Sequence, residues 1–263
     1  MTDDAPAPAP EPQTAPQPRT AGMLSGGRAG YIALGLSVVA LGLAAAPYFT
    51  GGSNVRAYLL DHPEVLQEAS QALQAKEGQA RVDETNAAVA ANAGLLAPDS
   101  REPSFGPADA KVTVIEFFDF RCPGCKAVAH DYRALMAAHP EVRFVFKDWP
   151  ILDRGDDVTS QYAARAALAA HQQGKYLEVY DALMNERALT LQSIDAILAA
   201  HGVDMTRAKA TLASPETTRH IADIHTIAAA LRLQGTPTFF VNGKAAASID
   251  PAEIGKMIEA AKK

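Results

Sequence analysis

The feature that most constrains this 263-residue chain is Cys122-Pro123-Gly124-Cys125, which holds both of its cysteines and closely follows a strand-like run. Residues 112–118 are mostly β-branched or aromatic. They are too apolar for a strand with one face in water, so they predict a strand covered on both faces. The residues after the second cysteine predict the first turns of a helix. A strand that leads into Cys-x-x-Cys at a helix N-terminus is the setting in which this motif is redox active.

The spacing of the two cysteines suits a disulfide that opens and closes. Residues three apart on a helix lie about 5–6 Å from each other, within the separation that a disulfide tolerates. At the start of the helix, Cys122 faces free N–H groups and the positive end of the helix dipole, which lower a thiol pKa. Pro123 lacks an N–H where the helix needs none. We therefore expect Cys122 to be the nucleophile and Cys125 the resolving thiol.

A zinc site and a structural disulfide are the alternative roles for the two cysteines. A zinc site needs four ligands, and the candidate histidines, His220 and His225, lie nearly a hundred residues away in a chain with no second Cys-x-x-Cys. A structural disulfide over so short a loop would remove little chain entropy. We expect no metal and no cofactor, and keep a membrane-anchored copper- or zinc-binding module that uses the same thiolates as the alternative function. A tethered scaffold whose helix only organises oligomers is a third possibility.

The net charge of -6 argues against nucleic acid as a partner.

The N-terminal region predicts an anchored protein. Residues 1–28 form a Pro/Ala-rich segment expected to be disordered. Residues 29–50 carry no charge, and their apolar centre at 31–49 would span about 28 Å as a helix, enough to cross a bilayer. Pro47 follows an Ala-rich stretch and should hinder signal cleavage. We therefore expect a single-pass anchor in the inner (cytoplasmic) membrane with the catalytic domain in the periplasm. The alternative is secretion to the periplasm after signal cleavage.

Residues 54–92 predict a helical stalk or oligomerisation segment. They are rich in Ala, Gln, Glu and Leu, with a break near Pro63. Small and apolar residues recur every seven positions, which places them on one helix face. The members of this heptad stripe are Leu59, Leu66, Leu73, Ala80 and Ala87. The stripe suits a partner helix, but packing of the stalk back onto its own domain is an almost equal alternative. Residues 94–110 are expected to be a linker.

The rest of the chain indicates an α/β architecture with a large helical insertion. Strands are expected at 142–146 and 239–241, with a hairpin turn at Asn242-Gly243 and a last helix from about Pro251. Four or five helices are expected between Asp157 and Leu233. Their expected C-terminal glycines are Gly174 and Gly202, and their expected caps are Ser193 and Asp204.

Three segments together resemble the DsbA-like branch of the thioredoxin superfamily over residues 105–263. They are residues 116–126 around the cysteines, 146–152 (Phe-Lys-Asp-Trp-Pro-Ile-Leu) and 235–239 (Gly-Thr-Pro-Thr-Phe). The resemblance implies a thioredoxin fold with a helical subdomain inserted at about 157–233, preceded here by the predicted transmembrane helix and stalk. Residues 55–73 also resemble the N-terminal segment of the suppressor-of-copper-sensitivity C subgroup, in which such a segment can mediate trimer formation.

The resemblance also implies roles for residues distant from the cysteines. Pro237 would be a cis-proline facing the disulfide, and Thr236 would offer backbone hydrogen bonds to an extended substrate. Pro123 and Gly124 complete the expected substrate-binding set.

Glu116 matches the buried acid that the family has beneath its active site. Strand alternation places it on the face that carries Val114 and Phe118, so burial should raise its pKa and let it carry the proton of Cys125. A buried ion pair with Lys147 is an alternative role for Glu116, compatible with the first.

The sequence therefore predicts a thiol–disulfide oxidoreductase that acts on extracytoplasmic proteins as an oxidase, isomerase or reductase. Its expected partners are client proteins and a membrane redox protein, either a quinone-linked oxidase or a transmembrane reductase. A homo-oligomer, in particular a trimer, is expected from the stalk. Pro-Gly stands between the cysteines where the best-known oxidase of the family has a pair containing histidine. This removes a positive group near Cys122, so strong oxidising power does not follow from the resemblance.

Overall fold

The computed structural model of the protein describes residues 35–42, 45 and 55–263. The chain divides into two units, residues 1–70 and 71–263. In the first unit, residues 35–42 and 55–61 are helical. No helix in the described part of the chain is both long and apolar enough to cross a membrane. The predicted tail at 1–28 and most of the predicted anchor at 29–50 lie outside the described residues.

The described secondary structure follows the order that the sequence predicts. Its longer helices are α1 (Glu64–Ala91), α2 (Pro123–Ala138), α3 (Thr159–His171), α4 (Tyr176–Asn185), α5 (Leu191–Ala200), α6 (Met205–Leu212), α7 (Pro215–Ala230) and α8 (Pro251–Ala261). Its strands are β1 (Ser104–Phe105), β2 (Thr113–Phe118), β3 (Arg143–Asp148), β4 (Thr238–Val241) and β5 (Lys244–Ala245). Five helices, α3 to α7, form the insertion between β3 and β4.

The five strands form one sheet in the order β1-β3-β2-β4-β5. The central strand β2 runs parallel to β3 and antiparallel to β4, while the edge strands β1 and β5 are antiparallel to their neighbours. The predicted linker at 94–110 contains β1, which pairs Ser104 with Val145 and Phe105 with Phe144. A two-residue edge strand is too short to produce a recognisable alternation, so the sequence did not reveal it.

Both faces of the sheet are covered, as the apolar pattern of β2 predicted. Five of the six residues of β2 are buried. One face carries Phe118 and packs against α2, α8 and the helices α3 to α6. The opposite face carries Phe117 and packs against α7 and the C-terminal turns of α1.

The helix caps are partly as expected. Asp204 caps α6, since its side chain accepts hydrogen bonds from the N–H groups of Thr206 and Arg207. The prediction that Ser193 caps a helix is wrong, because Thr190 occupies the N-cap of α5. Ser193 stands three residues later and exchanges hydrogen bonds with Thr190 in a capping box.

Most of the heptad stripe is exposed, and Leu59 is its half-buried member. Leu66 and Leu73 are 56% and 57% exposed. Near its C-terminus α1 packs on the domain through a different set of residues, including Thr85 and Val89, which are buried. The side chain of Asn86 accepts a hydrogen bond from the N–H of Ala245 on β5, at 2.8 Å. The end of α1 therefore covers an edge of the sheet through residues that do not belong to the heptad stripe.

Candidate active site

The two cysteines lie where the central strand gives way to α2. Cys122 is the N-cap residue in extended conformation and Pro123 is the first residue of the helix. The N–H of Cys122 donates to the carbonyl of Asp119, and its own carbonyl accepts from the N–H of Lys126. Both thiols are free. Both cysteines are buried, but Cys122 is 8% exposed and Cys125 is fully buried, so Cys122 is the more exposed of the two.

A loop from the other end of the chain lies against the first cysteine. The peptide bond between Thr236 and Pro237 is cis, as the resemblance implied. The Cys122 thiol donates a hydrogen bond to the Thr236 carbonyl oxygen at 3.1 Å. A Cβ atom added at Gly124 would lie 3.2 Å from the Pro237 ring and 3.7 Å from the Cys122 sulfur. Glycine between the cysteines therefore allows the proline loop to approach the reactive sulfur.

The surroundings of Cys122 favour its thiolate. A hydrogen bond from the Cys125 thiol has the largest effect, and burial opposes it. The contact with Thr236 and hydrogen bonds from the N–H groups of Cys125 and Gly124 at the helix start also lower the pKa of Cys122. Together they lower the pKa of Cys122 to about 5. Burial has the opposite result for Cys125, whose pKa rises far above the ordinary range of a thiol. The two thiols are thus chemically distinct at neutral pH.

Glu116 lies on β2 and is fully buried. Its charge contributes to the raised pKa of Cys125. It is aligned with Phe146 on β3 and Phe239 on β4. Burial, followed by the charge of Asp148, raises its pKa well above the usual range. The Tyr180 hydroxyl donates to one carboxyl oxygen at 3.5 Å, and the other has no hydrogen-bond partner among the described residues. Glu116 is therefore placed to hold a proton beneath the active site.

The alternative role of Glu116 as the partner of Lys147 is wrong. The Lys147 ammonium pairs with Glu102, and both side chains are buried. Glu116 is aligned with Phe146, the residue before Lys147. Because successive strand residues point to opposite faces, the lysine extends away from Glu116. It lies instead 5.7 Å from the centre of the Phe117 ring on the other face.

Two polar anchors of the site were missed by sequence reasoning. Asp119 is buried, and its carboxylate accepts hydrogen bonds from the N–H groups of Arg121, Ile151 and Leu152 and from the Ser160 hydroxyl. It thereby joins the loop before Cys-x-x-Cys to the loop after β3. An Asp directly after a buried strand was the available signal, because Asp side chains commonly bind backbone N–H groups two residues on.

The second missed anchor is Lys126, one residue after the cysteine pair. Its half-buried ammonium donates to the carbonyl oxygens of Leu183, Met184 and Glu186 at 2.9, 3.2 and 2.7 Å. These carbonyls belong to the C-terminal end of α4 and the residue after it. Lys126 therefore ties the active-site helix to the insertion. A lysine after Cys-x-x-Cys gave no sign of this long-range contact.

No group of three or more His, Cys, Asp or Glu side chains arranged to hold a metal ion was found in the described part of the chain. His225, one of the two histidines considered as ligands, accepts a hydrogen bond from the Trp149 indole at 3.1 Å. His220 is buried, and both of its ring nitrogens lack a hydrogen-bond partner among the described residues.

This fold, with a Cys-x-x-Cys pair at a helix start opposite a cis-proline, is that of the thioredoxin class. A family model described as Thioredoxin matches residues 99–260, more than half of the chain, so the protein belongs to this family. A model for the Copper resistance protein ScsC N-terminal domain matches residues 52–80. Within the superfamily the protein is therefore DsbA-like and similar to ScsC.

Two known proteins and one solved structure are each similar to more than half of this chain. The Na(+)/H(+) antiporter NhaA 3 of Salinispora tropica is 36% identical over 149 residues, which are 56% of this chain and 22% of that protein. This chain thus spans less than a quarter of the length of that relative. The Probable disulfide bond formation protein D of Bacillus cereus is 28% identical over 161 residues, which are 56% of this chain and 73% of that protein. A thioredoxin-like oxidoreductase from Silicibacter pomeroyi is similar in structure, with a TM-score of 0.60 and 34% identity over 65% of this chain and 98% of that one.

Proposed function

We propose that Cys122 and Cys125 catalyse thiol–disulfide exchange with extracytoplasmic client proteins. The observation that carries this proposal is the state of the Cys122 sulfur. This sulfur belongs to the more exposed cysteine of the pair and lies 3.1 Å from the Thr236 carbonyl oxygen, and its surroundings lower the thiol pKa to about 5. A thiolate at neutral pH is both a nucleophile and a good leaving group.

In the reducing direction, the Cys122 thiolate attacks a client disulfide and releases one client sulfur as a thiolate. A mixed disulfide then joins Cys122 to the client. Cys125 loses its proton and attacks the Cys122 sulfur, which releases the second client thiolate and leaves the pair oxidised. We assign Glu116 as the group that exchanges a proton with Cys125, since the carboxyl and the thiol lie in one buried environment. The ionised carboxylate takes up the Cys125 proton in this direction, and the protonated carboxyl, which burial favours, returns it in the opposite direction.

In the oxidising direction the same steps run in reverse. A client thiolate attacks the Cys122 sulfur of the oxidised pair, and Cys125 leaves and takes up a proton. The second client thiolate then attacks the client's own sulfur in the mixed disulfide and releases Cys122 as a thiolate. The low pKa of Cys122 favours this release.

The client segment would bind as an extended chain across the loop of Thr236 and Pro237. The Thr236 backbone lies beside the reactive sulfur and can bind a client main chain. Pro123 and Gly124 form the other side of the approach. The cis-proline ring would then keep the client sulfur in line with Cys122.

A membrane partner would set the direction of electron flow. A quinone-linked oxidase would keep the pair oxidised, whereas a transmembrane reductase would keep it reduced for isomerisation or reduction. We place the catalytic domain in the periplasm, with residues 29–50 as its single anchor in the inner membrane. Secretion after cleavage of that segment would leave the same chemistry in the same compartment. The redox state of the pair in cells, trapped with a thiol-alkylating mass tag, identifies the direction.

We also propose that the exposed apolar side chains of the stalk join copies of the chain, with a trimer as the expected form. Leu66 and Leu73 are more than half exposed, and further exposed apolar residues precede them. Isolated helices with such a stripe gain stability by packing against each other. Light scattering on the wild type and on a Leu66→Lys/Leu73→Lys variant tests this, because the variant should dissociate.

The decisive test of the catalytic proposal compares Cys122→Ala with Cys125→Ala. The first variant should have no exchange activity in an insulin-reduction assay. The second should attack a client disulfide once and accumulate the mixed disulfide, visible on a non-reducing gel. Exchange activity that survives in Cys122→Ala would contradict the assignment.

A further inference from the structure

A groove leads away from the reactive sulfur. Its volume is about 400 Å³. It is lined by the α1 residues Gly78, Arg81, Val82 and Thr85, by residues 232–235 and 237–239 leading into β4, and by residues 245–249 from the end of β5 onward. Pro237 and Ile249 belong to this lining, and both lie within 4 Å of the position of a Cβ at Gly124. The groove is therefore continuous with the active site.

The groove is not an open sheet edge. The N–H of Ala245 on the edge strand β5 donates to the side chain of Asn86, and the N–H of Ala246 donates to the carbonyl of Phe239. The Ala246 bond joins β5 to its neighbour β4, and the N–H of Ala245 is occupied by Asn86, so it is not free to pair with a client strand. A client chain that passes the cis-proline loop must instead lie between α1 and residues 246–249.

The charge of the groove is opposite to that of the whole protein. Two arginines, Arg81 and Arg232, line it, and no acidic side chain does so among the described residues. The chain as a whole has a net charge of -6. Arg232 pairs with Glu84 at 2.7 Å and is 66% exposed, whereas Arg81 makes no ion pair within the part of the chain that the structure describes. An unpaired guanidinium on one wall favours a carboxylate in the bound chain.

We infer that this groove selects extended client segments that carry an acidic side chain close to the reacting cysteine, with Arg81 as the main determinant. Apolar side chains of the client would contact Val82, Leu233 and Ile249. This inference rests on the proposed exchange function and adds a substrate class to it. It also gives the C-terminal half of α1 a part in client selection.

The test uses the full chain and two peptides, each with one cysteine held in a disulfide with a small reporter thiol. The peptides differ only in two residues beside the cysteine, Asp in one and Lys in the other. At low salt the reduced wild type should release the reporter from the acidic peptide about fivefold faster, and the difference should shrink as salt is added. Arg81→Glu should abolish or reverse the preference.

Arg207→Glu is the matched control, since it makes the same change of charge at an exposed residue of α6 outside the groove. The inference is overturned if the wild type shows no preference, or if Arg81→Glu changes it no more than Arg207→Glu does. Exchange with glutathione, which needs no groove, tests the catalytic pair separately. Binding of the same peptides with serine in place of cysteine, measured by fluorescence anisotropy, tests the groove without any exchange. Equal affinity for both peptides in that measurement would also refute the inference.

Discussion

The thiolate of Cys122 should depend on the hydrogen bond from the Cys125 thiol, which is the largest cause of its low pKa. Replacing Cys125 with alanine removes that donor, whereas serine keeps one. A hydrogen bond to a charged group contributes about 1.5–3 kcal/mol, which corresponds to a rise of about one to two pH units in the pKa of Cys122. The pH midpoint of Cys122 ionisation should therefore stay near that of the wild type in Cys125→Ser and rise in Cys125→Ala.

The assay is the thiolate absorbance near 240 nm, followed from acid to alkaline pH, together with the rate of alkylation by iodoacetamide. The reduced wild type should titrate with a midpoint at about pH 5. Cys122→Ala is the control that removes this transition. If the wild-type midpoint lies near the ordinary value of 9.0, or if the alanine and serine variants titrate alike, the hydrogen-bond explanation is refuted.

The same shift predicts how the stability of the reduced form depends on pH. The Cys122 thiol has a lower pKa in the native protein than in the unfolded chain. Its contribution to the free energy of unfolding is therefore complete above pH 9 and is lost as the pH falls through about 5. At pH 7 it stabilises the reduced native protein by about 3 kcal/mol. The oxidised protein has no thiol to ionise and lacks this contribution. Urea unfolding of both forms between pH 4 and 9 measures the difference, and parallel pH profiles would contradict it.

Three further predictions concern the surroundings of the pair. Gly124→Val should lower the rate of insulin reduction at least tenfold, because the cis-proline ring would have to move. Gly94→Val is the control, since its side chain meets open space and should leave the rate unchanged. Burial raises the pKa of Glu116, so the wild type should lose stability relative to Glu116→Gln as the pH rises above 4.5. A difference in the free energy of unfolding between the two proteins that stays constant with pH would contradict this. Lys147→Met should cost about 3–5 kcal/mol in urea unfolding, since it leaves the Glu102 carboxylate buried without its partner, and Lys147→Met/Glu102→Leu should recover most of that loss.

The sequence by itself determined the local elements of the site. The apolar run at 112–118 could only be a strand covered on both faces, because one wet face would expose too much apolar surface. Cysteines three residues apart at a helix start already predict a nucleophile, Cys122, and a resolving thiol, Cys125. The helices of the insertion and the hairpin turn at Asn242-Gly243 followed from periodicity and turn chemistry, which act over a few residues.

The tertiary structure decided which distant residues meet. Thr236 is 114 residues away from Cys122 in the sequence, and only the packing of β4 against β2 brings its carbonyl to the sulfur. The register of β3 against β2 directs Lys147 to Glu102 rather than to Glu116. Contact with the sheet buries Thr85 and Val89 on α1, while Leu66 and Leu73 of the heptad stripe stay more than half exposed. Side-chain periodicity specifies the faces of an element, but the partner of each face depends on the register and burial of the whole sheet.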